Sequence, residues 1–267
     1  LNCCLDRLAP GIQSLAADRY EVVVSDDGDP TVERQLAERY PWARWGLGPR
    51  LGPAANRNAG ARMVRGNWIA FIDDDCVPSS DWLLAYSDAI RSDTSVYEGK
   101  TTCEAGLQTA FWHAPVNLTG GVLWSCNFLI DRNVFEQLQG FDENYSYPHL
   151  EDVDLRDRLN RAGYHSTFVP EAVVDHPPRR LPSARKLARY HESDVYHWYK
   201  RGARRLVSGR LIYGIARCRL GAIRRSGLSH STLPCVGSLV AELTETAIRL
   251  PQWEWKYRQR FLPRPSR

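Results

Sequence analysis

No apolar run in this chain is long enough to cross a bilayer as a helix. Its seven cysteines form no CxxC pair and show no metal-ligand spacing, only a bare Cys3-Cys4 doublet. That excludes a disulfide framework or a zinc module, and the reading is of reduced, mostly structural thiols. No stretch reads as a signal peptide, so the expectation is a cytosolic chain, with attachment to the inner face of the membrane as one option. Neither GxGxxG nor GxxxxGK[ST] occurs. A dinucleotide site and a P-loop are therefore both unsupported. Internal repeats and low-complexity segments are also missing.

What is present is divided by charge. The net charge of +4 over 267 residues hides two opposed parts. Residues 1–177 hold 15 Lys+Arg and 26 Asp+Glu, a balance of −11; residues 178–267 hold 20 and 5, a balance of +15. An acidic body with a basic final third suggests a metal-binding domain and a segment that meets something anionic. The expected domains are 1–178 and 179–267.

The most informative stretch is Asp73-Asp74-Asp75, directly after Trp68-Ile69-Ala70-Phe71-Ile72. The apolar run reads as a buried strand. Unpaired carboxylates cannot stay in the core, so they must emerge where water, a cation or a ligand meets them. In an open α/β sheet that place is the carboxyl edge. A divalent metal holding a phosphate-bearing substrate is one reading. An acidic turn leading to a helix cap at Ser79-Ser80-Asp81 is the other.

The surrounding pattern is β-α-β-α-β. Residues 1–9 read as a helix. Tyr20 to Ser25 reads as a strand that ends in the turn Asp26-Asp27-Gly28-Asp29-Pro30. Thr31 to Tyr40 is helical and Trp42 to Leu47 a short strand. Pro53 opens an Ala-rich helix that runs to about Arg65. This alternation argues for a doubly wound, Rossmann-like nucleotide-binding half. Val96 to Cys103 and Leu123 to Ile130 read as further strands. Between them Trp112, His113, Pro115 and Gly120-Gly121 read as a loop over a site. Thr167 to Val174 reads as a last strand broken at Pro170.

Several residues carry chemistry at these junctions. Asp152, Leu155, Leu159 and Ala162 share one stripe of the helix opened by Glu151, so Asp152 extends a buried stripe at a helix N-terminus. The dipole favours its charge while desolvation raises its pKa, a combination that suits a general base. An ordinary acidic first turn is the alternative. Asp26 and Asp27 can cap a turn or accept from a nucleobase or ribose. Arg57 can reach a diphosphate or stay on the surface. His176 is a packing histidine or completes a metal site beside the acidic cluster.

Each piece is common, but the ordered set is not. Asp26-Asp27-Gly28, Arg57-Asn58-Ala59-Gly60, Asp73-Asp74-Asp75, Gly140-Phe141-Asp142-Glu143, Glu151-Asp152 and His176 together resemble the family 2 glycosyltransferases of GT-A fold, over roughly residues 1–177. The resemblance implies a Rossmann-like sheet sandwiched by helices and an inverting, metal-dependent transfer of sugar from a nucleotide-sugar donor to a hydroxyl acceptor, lipid-linked or not. It implies that Asp26 or Asp27 contacts the nucleoside and that Arg57 lies near the diphosphate. Asp73 and Asp75 match the ends of the DxD motif, with Asp75 the favoured ligand of Mn²⁺ or Mg²⁺ and His176 beside the metal. Glu151 and Asp152 match the Glu-Asp motif, Asp152 being the base. The family opens with a strand before its first helix, and here residues 1–9 already read as that helix. A truncated chain, a misassigned start and a lost strand all stay open, the lost strand being the least favoured because its neighbours' ladder groups would go unpaired. No QxxRW motif is present, which speaks against a processive synthase.

Arg210, Arg217 and Arg224 fall at heptad spacing within residues 203–225, with Ile212, Ala216, Leu220 and Ile223 on another face. One long helix, or two broken near Gly214, is expected. It could touch an anionic membrane or simply pack its apolar face inward, and inward packing is slightly favoured. Nucleic acid is not expected as a partner, since no binding motif accompanies the charge. Tyr190, His191, Tyr196 and Trp198 are candidates for an acceptor site or for packing. A nucleotidyltransferase and an inactive nucleotide-sugar-binding scaffold are the competing functions.

Overall fold

The computed structural model describes residues 1–28, 30–226 and 232–262. Asp29, part of the expected turn after the first strand, lies outside them. In chain order the elements are α1 (Asn2–Leu8), β1 (Val23–Asp26), α2 (Pro30–Arg39), β2 (Arg44–Leu47), α3 (Pro53–Met63), β3 (Trp68–Ile72), β4 (Val77–Pro78), α4 (Trp82–Ala89), β5 (Val96–Thr102), β6 (Trp112–His113), β7 (Asn127–Asp131), α5 (Arg132–Gln137), α6 (Glu151–Arg161), β8 (Thr167–Asp175), β9 (Arg179–Arg180), α7 (Ala184–Lys200), α8 (Ser208–Arg225) and α9 (Thr232–Phe261). They form two compact units. One comprises Leu1–Ala105 and Ala114–Pro177; the other comprises Gly106–His113 and the chain from Pro178 on.

The first unit is built on a five-stranded sheet in the order β3-β7-β5-β8-β4. It is mixed: β5 and β8 run parallel, and the other neighbours are antiparallel. Alternation along the strands sorts side chains into two cores. Ile69, Phe71, Phe128 and Ile130 enter one core with Phe135 of α5 and Leu155 and Leu159 of α6. Trp68, Ala70, Ile72 and Leu129 enter the other, against Cys4 and Leu8 of α1 and Trp82 and Tyr86 of α4. Helices therefore cover both faces. β1 and β2 make a separate parallel pair, with Val23 opposite Arg44. Among the described residues β1 has β2 as its one strand partner, and β3 has β7.

Two expectations about strands change. β8 runs through Pro170 without a break, but its register against β5 jumps from Gly99–Val169 to Lys100–Val173. The proline, which has no N–H to give, lies in the bulge. The Asn127 side chain fills the gap, donating to Lys100 O at 3.0 Å and to Ala172 O at 3.1 Å. Its oxygen accepts from Trp82 Nε1 and Tyr86 Oη, both at 2.8 Å. The second change is that β7 begins at Asn127, not at Leu123. Residues 121–123 are held outside the ladder because their N–H groups donate to the Glu98 carboxylate.

The second unit contains α7, α8, α9 and the β6–β9 ribbon. Trp112 and His113, expected in a loop over a site, instead form β6 and pair with Arg180 and Arg179. Ser183 caps α7 by accepting from Lys186 N. α8 passes through Gly214 unbroken, and its buried stripe is Leu211, Ile215, Arg219 and Ile223. Leu220, assigned to the apolar face from sequence, is exposed. Tyr196 is buried against Tyr257, and His191 is ion-paired within the unit.

Candidate active site

The carboxyl end of β3 delivers Asp73, Asp74 and Asp75 as the sheet stops at Ile72. Asp74 is exposed and the two outer aspartates are half-buried. α3, opened by Pro53 at its first position, carries Arg57 one turn in. Arg57 Nη2 donates to Asp73 Oδ1 at 2.7 Å, and Nη1 to Glu151 Oε1 at 2.9 Å. The guanidinium also lies over the Phe141 ring, 5.7 Å from its centroid. Burial works against its charge, yet Asp73 and Glu151 outweigh that and hold its proton more firmly than usual. Arg57 thus joins the β3 end to the start of α6.

α6 begins at Glu151 after Leu150, which sits in the left-handed region at φ 71°. Glu151 is buried. Desolvation pushes its pKa up, and Arg57 partly offsets this. Asp152 is half-buried, and desolvation raises its pKa against the pull of the Val153 and Ser125 N–H groups. Its Oδ1 accepts from Val153 N at 2.7 Å. Leu155 and Leu159 of the expected stripe are buried; Ala162 is exposed at the helix end.

β8 delivers His176, which is buried. Its Nδ1 lies 2.9 Å from Pro177 O. A carbonyl only accepts, so Nδ1 is the donor there, and Nε2 is the ring nitrogen left for a metal. Nε2 faces Asp75 Oδ1 at 3.6 Å. Two ligands in cis on one small dication stand about 3 Å apart, so this N,O pair fits Mn²⁺ or Mg²⁺ after a slight closure. Cys76 also has its sulfur within 4.8 Å of both ligand atoms. Its hydrogen bond to Cys126 and its burial hold that thiol protonated, which disfavours it as a ligand. Asp73 is directed to Arg57.

Asp26 and Asp27 stand at the end of β1. Asp26 Oδ1 accepts from Gly28 N at 2.7 Å, and Asp27 Oδ1 from Arg50 N at 2.9 Å. They are tied to α3 through their neighbour Ser25, whose Oγ donates to Asn56 Oδ1 at 2.6 Å and whose carbonyl accepts from Asn56 Nδ2 at 2.9 Å. A Cβ on Gly48 would collide with the Asp27 and Asn56 side chains, so glycine is required there.

Two supports escaped the sequence reading. Asn58 exchanges hydrogen bonds with Phe141, receiving its N–H at 2.9 Å and donating to its carbonyl at 2.8 Å. It pins the Gly140–Glu143 turn to α3, and its position beside Arg57 was the available signal. Glu98 is buried and accepts from Gly121 N (2.7 Å), Val122 N (3.1 Å), Leu123 N (2.9 Å), Asn117 Nδ2 (3.0 Å) and Ser166 Oγ (2.6 Å). Burial opposes its charge, but these donors prevail and its pKa falls below the usual range. Nothing in the sequence near Glu98 announces this.

Comparison with known proteins agrees with the geometry. The model of the family "Glycosyl transferase family 2" matches residues 1–115. The N-acetylglucosaminyl-diphospho-decaprenol L-rhamnosyltransferase of Mycobacterium tuberculosis is 32% identical over 180 residues, covering 64% of this chain and 57% of the relative. Glycosyltransferase AglE of Haloferax volcanii is 25% identical, with 62% and 60% covered. The chain thus spans about 57% of the first relative's length. Among solved structures, S. aureus TarS 1–349 in complex with UDP superposes with a TM-score of 0.53 at 13% identity, over 97% of this chain and 87% of that one. GalNAc-T7 with UDP, GalNAc and Mn²⁺ gives a TM-score of 0.53 at 17% identity, over 71% and 46%. At such identities the structures show the shared GT-A fold, a mixed sheet followed by C-terminal helices. The sequence relation runs through the β3 aspartates themselves: residues 1–115, which hold them, match glycosyl transferase family 2.

Proposed function

We propose that the protein transfers a sugar from a nucleotide-diphosphate sugar to a hydroxyl acceptor with inversion at the anomeric carbon. The observation that carries this is the Arg57 bridge, which gathers the β3 acidic end and the Glu151-Asp152 helix start around one cation. Asp152, with its pKa raised by desolvation, takes the proton of the acceptor hydroxyl. The acceptor oxygen forms its bond to the anomeric carbon from the face opposite the diphosphate. The bond from that carbon to the phosphate oxygen breaks, and the diphosphate leaves with the electron pair. Asp75 and His176 would hold a divalent cation, Mn²⁺ or Mg²⁺, whose charge would stabilise the departing diphosphate. Glu151 and Arg57 position the strand end against the helix start. Asp26 and Asp27, at the end of β1, offer carboxylates to the nucleoside.

The rhamnosyltransferase of M. tuberculosis acts, by its name, on a lipid-linked acceptor. We carry that class of acceptor over to this chain as part of the proposal. The test is to incubate protein, Mn²⁺ and a panel of nucleotide-sugars with polyprenyl-diphosphate-linked acceptors and to measure nucleoside diphosphate release. Asp152→Asn should cut transfer by at least about 10³-fold while donor binding persists. Turnover retained in that variant would remove Asp152 from the role of base. Asp75→Ala should instead weaken metal-dependent donor binding.

A further inference from the structure

We propose that the outer face of α9 rests on an anionic bilayer, with the helix axis in the membrane plane. This goes beyond the assignment of activity, because it concerns the second unit by itself.

α9 exposes an uninterrupted uncharged stripe. Leu233, Val236, Val240, Ile248 and Trp255 stand out from it, with Leu233 82%, Ile248 71% and Trp255 68% exposed. Their spacings follow the 3.6-residue period, and every other exposed position from 233 to 255 is uncharged too. The stripe is about 33 Å long at 1.5 Å per residue. The opposite face carries Glu242, Thr246 and Glu254, all buried within the unit. α9 is therefore amphipathic, and no helix among the described residues is long and apolar enough to cross a membrane. A contiguous apolar patch of this size marks a docking surface.

Charge selects the occupant. From residue 178 on there are 20 Lys+Arg and only 5 Asp+Glu. All five acidic side chains are buried or half-buried and internally bonded. Glu192 accepts from Lys256 and Tyr257. Asp194 and Glu242 flank His191. Glu245 pairs with Arg249, and Glu254 accepts the N–H groups of Val207 and Ser208. Arg210, Arg217 and Arg224 of the neighbouring α8 are exposed. The described surface of this unit is thus basic, with no exposed acid to balance it. A second copy would bring the same charge to the same face and be repelled. A layer of anionic headgroups over acyl chains matches both the stripe and the arginines.

The experiment is co-sedimentation of the whole protein with vesicles of phosphatidylcholine alone and of phosphatidylcholine with phosphatidylglycerol. Binding should require the anionic lipid and weaken with salt. The double variant Val240→Asp/Ile248→Asp should bind at least 10-fold more weakly while keeping its helical circular dichroism and melting temperature. Lipids brominated in the acyl chain should quench the protein's tryptophan emission, and Trp255→Phe should remove most of that quenching. Binding that survives the double variant would mean arginine contacts alone and overturn the proposal. So would the absence of binding, or a lipid-free dimer that the double variant dissociates. Because no sugar transfer is read, failure here and failure of the assigned activity are distinguishable.

Discussion

At Arg57 one cation serves two carboxylates that lie 16 and 94 positions away in the chain. Removing it leaves Glu151 buried without its countercharge. Arg57→Ala should cost about 3–5 kcal/mol at neutral pH. Burial already raises the Glu151 pKa, and losing Arg57 raises it further. The carboxyl can then take up a proton as pH falls, so the deficit should shrink in mildly acidic buffer. Urea titrations at two pH values measure this; an equal deficit at both would contradict the linkage. Glu98 behaves in the opposite sense. Its pKa is lowered, so its stabilisation is present above the ordinary glutamate range and lost as pH falls through the folded value. Glu98→Gln turns an acceptor of five donors into a mixed amide, and about 2–4 kcal/mol should be lost in the same titration. The aspartates after β3 were legible because a buried strand must expel them. The partners of Arg57 and the donors to Glu98 were not, since both sets converge from distant segments.

Among the elements, β3, α3 and α6 follow from local pattern: an apolar run, a proline at a helix start and acidic residues in a first turn. Local pattern predicts a break in β8, because a proline in a strand has no N–H to offer. The repair comes from across the sheet, where Asn127 bonds two carbonyls beside the bulge and receives the Trp82 and Tyr86 donors. No local rule reveals a repair from another strand. Asn127→Ala would take a partner from four polar groups at once, and a loss of about 3–5 kcal/mol is expected. β8 also ends at the segment that presents His176 to Asp75, so the metal-dependent donor binding proposed above should weaken in step with stability. Calorimetric titration of donor with and without Mn²⁺ checks it. Unchanged metal dependence would uncouple the bulge from the site. In α8 the basic face follows from heptad spacing, but part of the apolar face does not, because Arg219 is buried to pair with Glu242.

For the molecule as a whole, the acidic body and basic final third were visible in composition, but the ion network inside the second unit was not. His191 on α7 stands between Asp194 of α7 and Glu242 of α9, and Glu242 also meets Arg219 of α8. Burial opposes the imidazolium, but the two carboxylates prevail and its pKa is pushed up to about 9. Its contribution is complete below the ordinary histidine value and disappears as pH rises through about 9, an effect on the order of 3 kcal/mol. The melting transition of the second unit should therefore fall between pH 7 and pH 10, and His191→Gln should flatten that slope. A variant with the same slope as the native protein would refute the role.

The excursion of Gly106–His113 into the second unit means that the polypeptide changes unit three times. Cutting the chain after Pro177 therefore does not yield a clean catalytic fragment. It removes β9 from β6, takes Leu181 N from the Phe111 carbonyl, and uncovers Ala110, which packs against Ile223 and Cys235. Such a fragment should aggregate and bind hydrophobic dyes. Replacing residues 106–113 with a short Gly-Ser link should restore it to solution. Any shortening of this protein has to be planned as two deletions, one of them in the middle.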